Sequence, residues 1–148
     1  MAKRTSLARS PCPVGRSIDA VGDWWSLMII RDALDGVGRF SDFLASLGIA
    51  KNMLSARLRT LVERDILEIV PASDGSAYSE YRLTAKGRGL FPVIVALRQW
   101  GEEFFFDPAE THVRLIDRAG RRPVRKLELH ADDGRLLTPE ETIVVHPD

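Results

Sequence analysis

Residues 39–67 read RFSDFLASLGIAKNMLSARLRTLVERDIL, and their spacing decides the fold. Phe40, Phe43, Leu44 and Leu47 recur at three- and four-residue intervals, which puts them on one side of a short helix. Gly48 then supplies a sharp turn, since glycine takes positive φ without steric cost. In the longer helix that follows, Leu54, Leu58, Leu61 and Val62 make a buried stripe. Asn52, Ala56, Arg59, Thr60 and Glu63 fall roughly opposite, facing out. Two helices joined this way form a helix-turn-helix, whose second helix is free to enter a DNA major groove. An ordinary pair of surface helices in an all-α domain has the same spacing, so the context must arbitrate.

The context is a hairpin. Ile66, Leu67, Ile69 and Val70 form a β-branched run ending at Pro71, and Tyr81-Arg82-Leu83 returns after the turn-rich SDGSAYSE. Two short strands around an Asp74-Gly75 tip are a strong hairpin signal. A hairpin directly after a recognition helix is the wing of a winged helix. The fold expected is α+β and mainly α: a winged helix-turn-helix with a long C-terminal dimerisation helix and a small β appendage.

Working outward, Cys12-Pro13 opens a first helix through Ile18, Ala20 and Val21, with Gly22 as its stop. Asp23 is placed to cap WWSLMIIRDAL, an all-round apolar core helix that Gly36 terminates. After the wing, Thr84 caps a helix running to about Phe106, with Pro92 expected to kink it near Arg88. Its Leu90, Phe91, Ile94, Leu97, Trp100, Phe104 and Phe105 exceed what a small domain covers alone, which suggests core packing or a dimer interface. From Thr111 the texture alternates: HVRLID, PVRKLELH and TIVVHP read as three small strands around the turns RAGRR and ADDG. The boundary therefore falls at 107/108, with residues 1–107 for DNA binding and dimerisation and residues 108–148 as the β-rich appendage.

The 148 residues carry 21 Lys/Arg against 21 Asp/Glu, with 45% hydrophobic residues. One domain of this size buries a core without staples. The formal neutrality hides a split: residues 1–100 hold 14 basic against 10 acidic side chains, residues 101–148 hold 7 against 11. Phosphate neutralisation depends on the face presented, not on the total. No apolar run approaches the roughly 20 residues that span a bilayer, and MAKRTSLARSP lacks the apolar stretch of a secretory signal. With one cysteine no internal disulfide forms, which fits a reducing cytoplasm. The expected location is cytoplasmic, with no membrane partner.

Together the residues resemble the HxlR-type winged-helix regulators. The resemblance is carried, over roughly 12–105, by Cys12-Pro13-Val14, Gly22-Asp23-x-Trp25-Ser26-Leu27, Ile30-Arg31, Arg39-Phe40, Gly48-Ile49, Leu54-Ser55-x-Arg57-Leu58-Arg59-x-Leu61, Glu80-Tyr81-x-Leu83-Thr84-x-x-Gly87, and Pro92 with Trp100-Gly101. It implies a bacterial cytosolic homodimer that binds double-stranded DNA at an inverted repeat, and some such regulators sense oxidants or electrophiles through the Cys-Pro cysteine. It leaves room for a small-molecule effector without naming one. The sequence departs from the pattern in three places. Ala50 stands where Ser or Thr usually caps the recognition helix, the wing carries Asp74 and Glu80 but no cation between Pro71 and Tyr81, and the tail beyond Asp107 lies outside the likeness.

The candidate DNA contacts are Arg39, Lys51, Asn52, Ser55, Ala56, Arg57, Arg59 and Arg82. Lys51 and Asn52 occupy the first turn of the recognition helix, the end that approaches base edges. Arg57 lies nearer the buried stripe and is assigned to phosphate or to a structural ion pair. Cys12 is the candidate redox sensor: it precedes a short helix and lies near Arg9 and Arg16, positive surroundings that promote thiol reactivity; a small buried residue is the alternative. No catalytic constellation, cofactor motif or metal site is expected. His112, His130 and His146 all lie in the tail with no close pair at ligand spacing, and Gly36-x-Gly38 is too short to cradle phosphate. Trp24, Trp25 and Trp100 read as core or interface aromatics rather than an effector pocket. The competing function is a winged helix that binds protein, not DNA.

Overall fold

The computed structural model describes residues 5–148; the first four residues of the basic N-terminal stretch lie outside the described residues. The helical elements before the hairpin are α1 (Pro13–Val21), α2 (Trp24–Leu34), α3 (Phe40–Leu47) and α4 (Lys51–Glu63). Strands β1 (Leu67–Pro71) and β2 (Ser79–Leu83) follow, then α5 (Ala85–Arg88) and α6 (Phe91–Phe104).

Local chemistry sets the helix ends where expected. Asp23 caps α2 by accepting from the Ser26 backbone N–H at 2.9 Å, and Gly36 at φ 97° stops it. Gly48 ends α3 in the left-handed region at φ 62°, its N–H donating to Leu44 O. Ala50 gives α4 no side-chain cap, which forgoes about 1 kcal/mol. The far end of α4 is better closed. Asp65 takes φ 59°, its N–H donates to Val62 O, and the Ile66 N–H reaches back to Leu61 O at 2.9 Å. That is the Schellman arrangement, with an aspartate where glycine is usual.

The chain divides by packing into two units, one ending at Ile94 and one beginning at Val95, inside α6. In the first unit Ile29 and Ile30 of α2, Phe43 of α3, and Leu54, Leu58 and Leu61 of α4 are fully buried. Each such side chain contributes about 1.5–3 kcal/mol of burial free energy. The hairpin is antiparallel, with Leu67 opposite Leu83 and Ile69 opposite Tyr81. Leu67 and Leu83 close the core from the wing side.

Two expectations need correction. The helix from Thr84 to Phe106 is two helices, not one kinked rod. Thr84 does cap α5 by accepting from Gly87 N, but the chain turns through Gly89 and Leu90 before α6. Pro92 then falls in the first turn of α6, where no N–H is needed, and the first bond runs from Ile94 N to Leu90 O. The three tail strands are also absent: among the described residues the tail holds isolated bridges at Ile116–Pro123 and His130–Leu136 and a short 3-10 turn at Pro139–Glu141. Pro123 has no N–H to extend its bridge into a ladder. The alternating apolar residues thus stay in water, with Val113, Leu129 and Ile143–Val145 each more than 70% exposed.

Packing in the second unit explains why the division falls earlier than the 107/108 boundary read from sequence. The tail folds onto the later turns of α6, where Gln99 donates to Arg125 O at 3.0 Å and accepts from Leu127 N at 2.8 Å. His112 packs against Phe106 with ring centroids 4.7 Å apart and the rings tilted by 40°, and lies 3.5 Å from a Glu102 carboxylate oxygen.

Candidate nucleic-acid interface

The helical repeat of α4 buries Leu54, Leu58 and Leu61 and turns the opposite face outward. Lys51, Asn52, Ala56 and Arg59 are exposed there, with Ser55 half-buried at the edge. Among the described residues neither Lys51 nor Arg59 has an ion-pair partner. Asn52 Oδ1 accepts from Met53 N at 2.9 Å. Ser55, Arg59, Val62 and Glu63 line one side of a groove of about 320 Å³ whose other side is Ile69 and Tyr81 of the hairpin. The recognition helix and the wing therefore border one concave surface.

The other candidate arginines are engaged inside the protein. Arg39, the residue before α3, pairs with Asp74 at the hairpin tip and places Nε 3.3 Å from Glu80 Oε1. Ser73 Oγ donates to the same Glu80 oxygen at 3.2 Å. Ser76 donates to Asp74 Oδ1 through its backbone N–H at 2.9 Å, and with the Arg39 guanidinium this holds the Asp74 carboxyl far below the usual range. Asp74 and then Glu80 raise Arg39 in turn. The acids of the wing, which the sequence marks as unfavourable to phosphate, are thus neutralised from 35 and 41 residues away. Nothing local in the sequence announces that pairing.

Arg57 adopts the structural alternative. Its Nε lies 3.2 Å from Asp23 Oδ1 but off the line a hydrogen bond needs, so the contact is an ion pair tying α4 to the cap of α2. Arg82 meets Glu68 across the hairpin at 2.7 Å while staying largely exposed. Sequence reasoning also missed Arg64, which donates to the Asp19 and Ala20 carbonyls at the end of α1; a cation near a helix C-terminus is the available signal.

Cys12 is exposed and unpaired at the N-terminus of α1, its N–H donating to Ser10 Oγ at 3.1 Å; the buried alternative does not hold. Arg16 donates to Ser10 O at 2.6 Å. Trp24 is 71% exposed and meets Trp25 edge-on at 5.4 Å. Trp100, in the second unit, contacts Phe104 and Phe105.

Comparison with known proteins fits this geometry. Residues 20–108 match the HxlR-like helix-turn-helix family. An uncharacterized HTH-type transcriptional regulator of Mycobacterium tuberculosis (strain CDC 1551 / Oshkosh) is 45% identical over 102 residues, covering 69% of this chain and 65% of that protein. The match therefore spans just under two thirds of that relative's length. Among solved structures, the candidate transcription factor PA1607 superposes with a TM-score of 0.91 at 52% identity, over 97% of this chain and 100% of that one. The redox regulator HypR in its reduced form superposes with a TM-score of 0.56 at 28% identity, over 62% of this chain and 92% of that one. The chain belongs to the HxlR-like helix-turn-helix family.

Proposed function

We propose that this protein is a cytoplasmic, sequence-specific DNA-binding transcriptional regulator, a repressor that acts as a homodimer on an inverted-repeat operator. The observation that carries this reading is the outward face of α4, where Lys51, Asn52 and Arg59 are exposed and, among the described residues, have no ion pair, beside a docked wing. Regulators named in the comparisons supply the functional class. Dimerisation is supported by the apolar surface of α6, whose Leu97, Trp100, Phe104 and Phe105 are about half-exposed or more; such a face usually has a partner. In this reading residues 1–107 bind DNA and dimerise, and residues 108–148 are an appendage. Two recognition helices related by a two-fold axis address half-sites one helical turn, or a multiple, apart. A gel-shift titration against the DNA upstream of its own gene is the test. Specific retention of an inverted-repeat fragment supports the reading, and equal retention of scrambled DNA removes it.

Redox control through Cys12 is the finer part of the proposal. The exposed thiol and the likeness to a redox regulator support it. With one cysteine per chain, oxidation gives an intersubunit disulfide or a mixed adduct with another thiol: in either case two thiols lose two electrons and two protons to an oxidant such as diamide, and one S–S bond forms. Operator binding by wild type and Cys12→Ser, before and after diamide, should diverge; equal responses make the thiol structural.

A second reading, protein binding by the winged helix, is favoured by the formal charge of zero and by a wing whose charged side chains between Pro71 and Tyr81 are acids. The same titration separates the two.

A further inference from the structure

The first unit holds a cleft of about 970 Å³ between the turn that follows α2 and the hairpin. That volume lies in the range of small-molecule sites. Its walls are mostly apolar: Leu34 and Val37 on one side, Val70 and Leu83 on the other, and Phe91 at the start of α6. Its polar groups are nearly all engaged elsewhere. Gly38 O accepts from Tyr81 N at 2.8 Å, Glu80 is held by Arg39 and Ser73, and Arg82 is held by Glu68. Arg88 also lines the cleft and is exposed, and among the described residues its guanidinium has no hydrogen-bond or ion-pair partner.

We propose that this cleft binds a small amphipathic carboxylate, an aromatic or branched aliphatic acid whose apolar body lies between Val37 and Leu83 while its anion pairs with Arg88. The complement of apolar walls and one uncompensated cation is an apolar body with one negative charge. A planar carboxylate meets a guanidinium through two parallel hydrogen bonds, a geometry that ammonium ligands and sugars lack. Occupancy bears on the wing, because the Tyr81–Gly38 backbone bond and the Glu80–Arg39 pair both border this space. The proposal goes beyond DNA binding and does not depend on it.

The test is a titration of the full-length protein with 2-naphthoate, followed by the backbone amide resonances of Gly36, Val37 and Gly38. Saturable shifts at these amides are expected, with a dissociation constant of about 1 mM for so small a probe. The uncharged 2-naphthamide should bind roughly tenfold more weakly, as should 2-naphthoate to Arg88→Gln. Arg88→Gln changes an exposed side chain, and its melting curve should match wild type. A second variant, Val37→Phe, narrows the cleft and should reduce binding of acid and amide alike. Equal affinity for acid and amide in the wild type overturns the proposal, as do unshifted amides at about ten times that concentration. Shifts that follow protein concentration in place of the probe also overturn it, by assigning the cleft to a second copy of the chain. The readout contains no DNA, so the loss of the DNA-binding reading would leave this result standing.

Discussion

The Arg39 guanidinium is paired with the Asp74 carboxylate, joining the start of the first helix of the helix-turn-helix to the tip of the wing. Both side chains are at least a third exposed, so Coulomb attraction alone contributes little. The pair gains from its setting: Glu80 adds a second acid to Arg39, and Ser76 fixes Asp74 from within the turn. The wing of this protein is held from behind, which orients it beside α4.

The clamp should be insensitive to pH over the neutral range. The folded Asp74 carboxyl lies below its ordinary value, so its contribution is present above the usual carboxylate range and is lost only as pH falls through the depressed folded value. The Ser76 amide resonance should stay flat between about pH 8 and pH 5. A titration step near the ordinary carboxylate pKa would show that the pair does not form in solution. Arg39→Ala should speed hydrogen exchange at the Ser76 and Tyr81 amides.

On the DNA side, Asn52→Ala should cost about 1–3 kcal/mol at one base position and relax specificity there. Arg59→Ala should weaken all sequences alike and lower the salt slope by about 1. Arg57→Ala should leave that slope unchanged, since its charge is spent on Asp23. Operator binding at three or more salt concentrations distinguishes the three; identical slopes for Arg57→Ala and Arg59→Ala would contradict the assignment.

Gly87→Ala should be strongly destabilising. A Cβ there would lie 2.2 Å from Ile66 O and 2.9 Å from Leu83 Cδ2, and the carbonyl belongs to backbone that cannot swing aside. Overpacking of this kind costs about 1–3 kcal/mol. Urea unfolding with an unchanged m-value gives the number, and a variant as stable as wild type would mean that the wing base is free to move.

Asp65→Gly should act in the opposite direction. Asp65 holds φ 59° at the end of α4, where glycine is unstrained, and its side chain makes no hydrogen bond or ion pair among the described residues. A gain of about 0.5 kcal/mol is expected after the entropy of glycine in the unfolded chain is subtracted. Thermal melts of the two proteins check it.

Much of the fold was legible because its signals are local. The intervals of Leu54, Leu58 and Leu61 define a buried helix face whatever the partner, Gly48 and Gly36 mark turns by their conformational freedom, and Asp74-Gly75 marks the hairpin tip. Asp23 and Thr84 cap their helices through groups three residues away. The candidate reading face of α4 follows from the same periodicity, since the residues opposite a buried stripe face out. Exposure of Cys12 was not legible in this way, because a lone cysteine before a helix fits core and surface equally.

Only the tertiary structure decided which charges are free and which are spent. Arg39, Arg57, Arg59 and Arg82 look alike in sequence, yet Arg39, Arg57 and Arg82 meet acids, two of them across 34 residues or more, while among the described residues Arg59 meets none. The end of the long helix and the fate of the tail were also undetermined. Pro92 is compatible with a kink or a new start, and the geometry at Leu90 selects the start. Alternating residues become strands only where a neighbouring ladder accepts their backbone groups; around Pro123 that ladder stops after one bridge. Periodicity along the chain fixes which face of an element is buried, while pairing between distant side chains and strands depends on where the folded chain brings them.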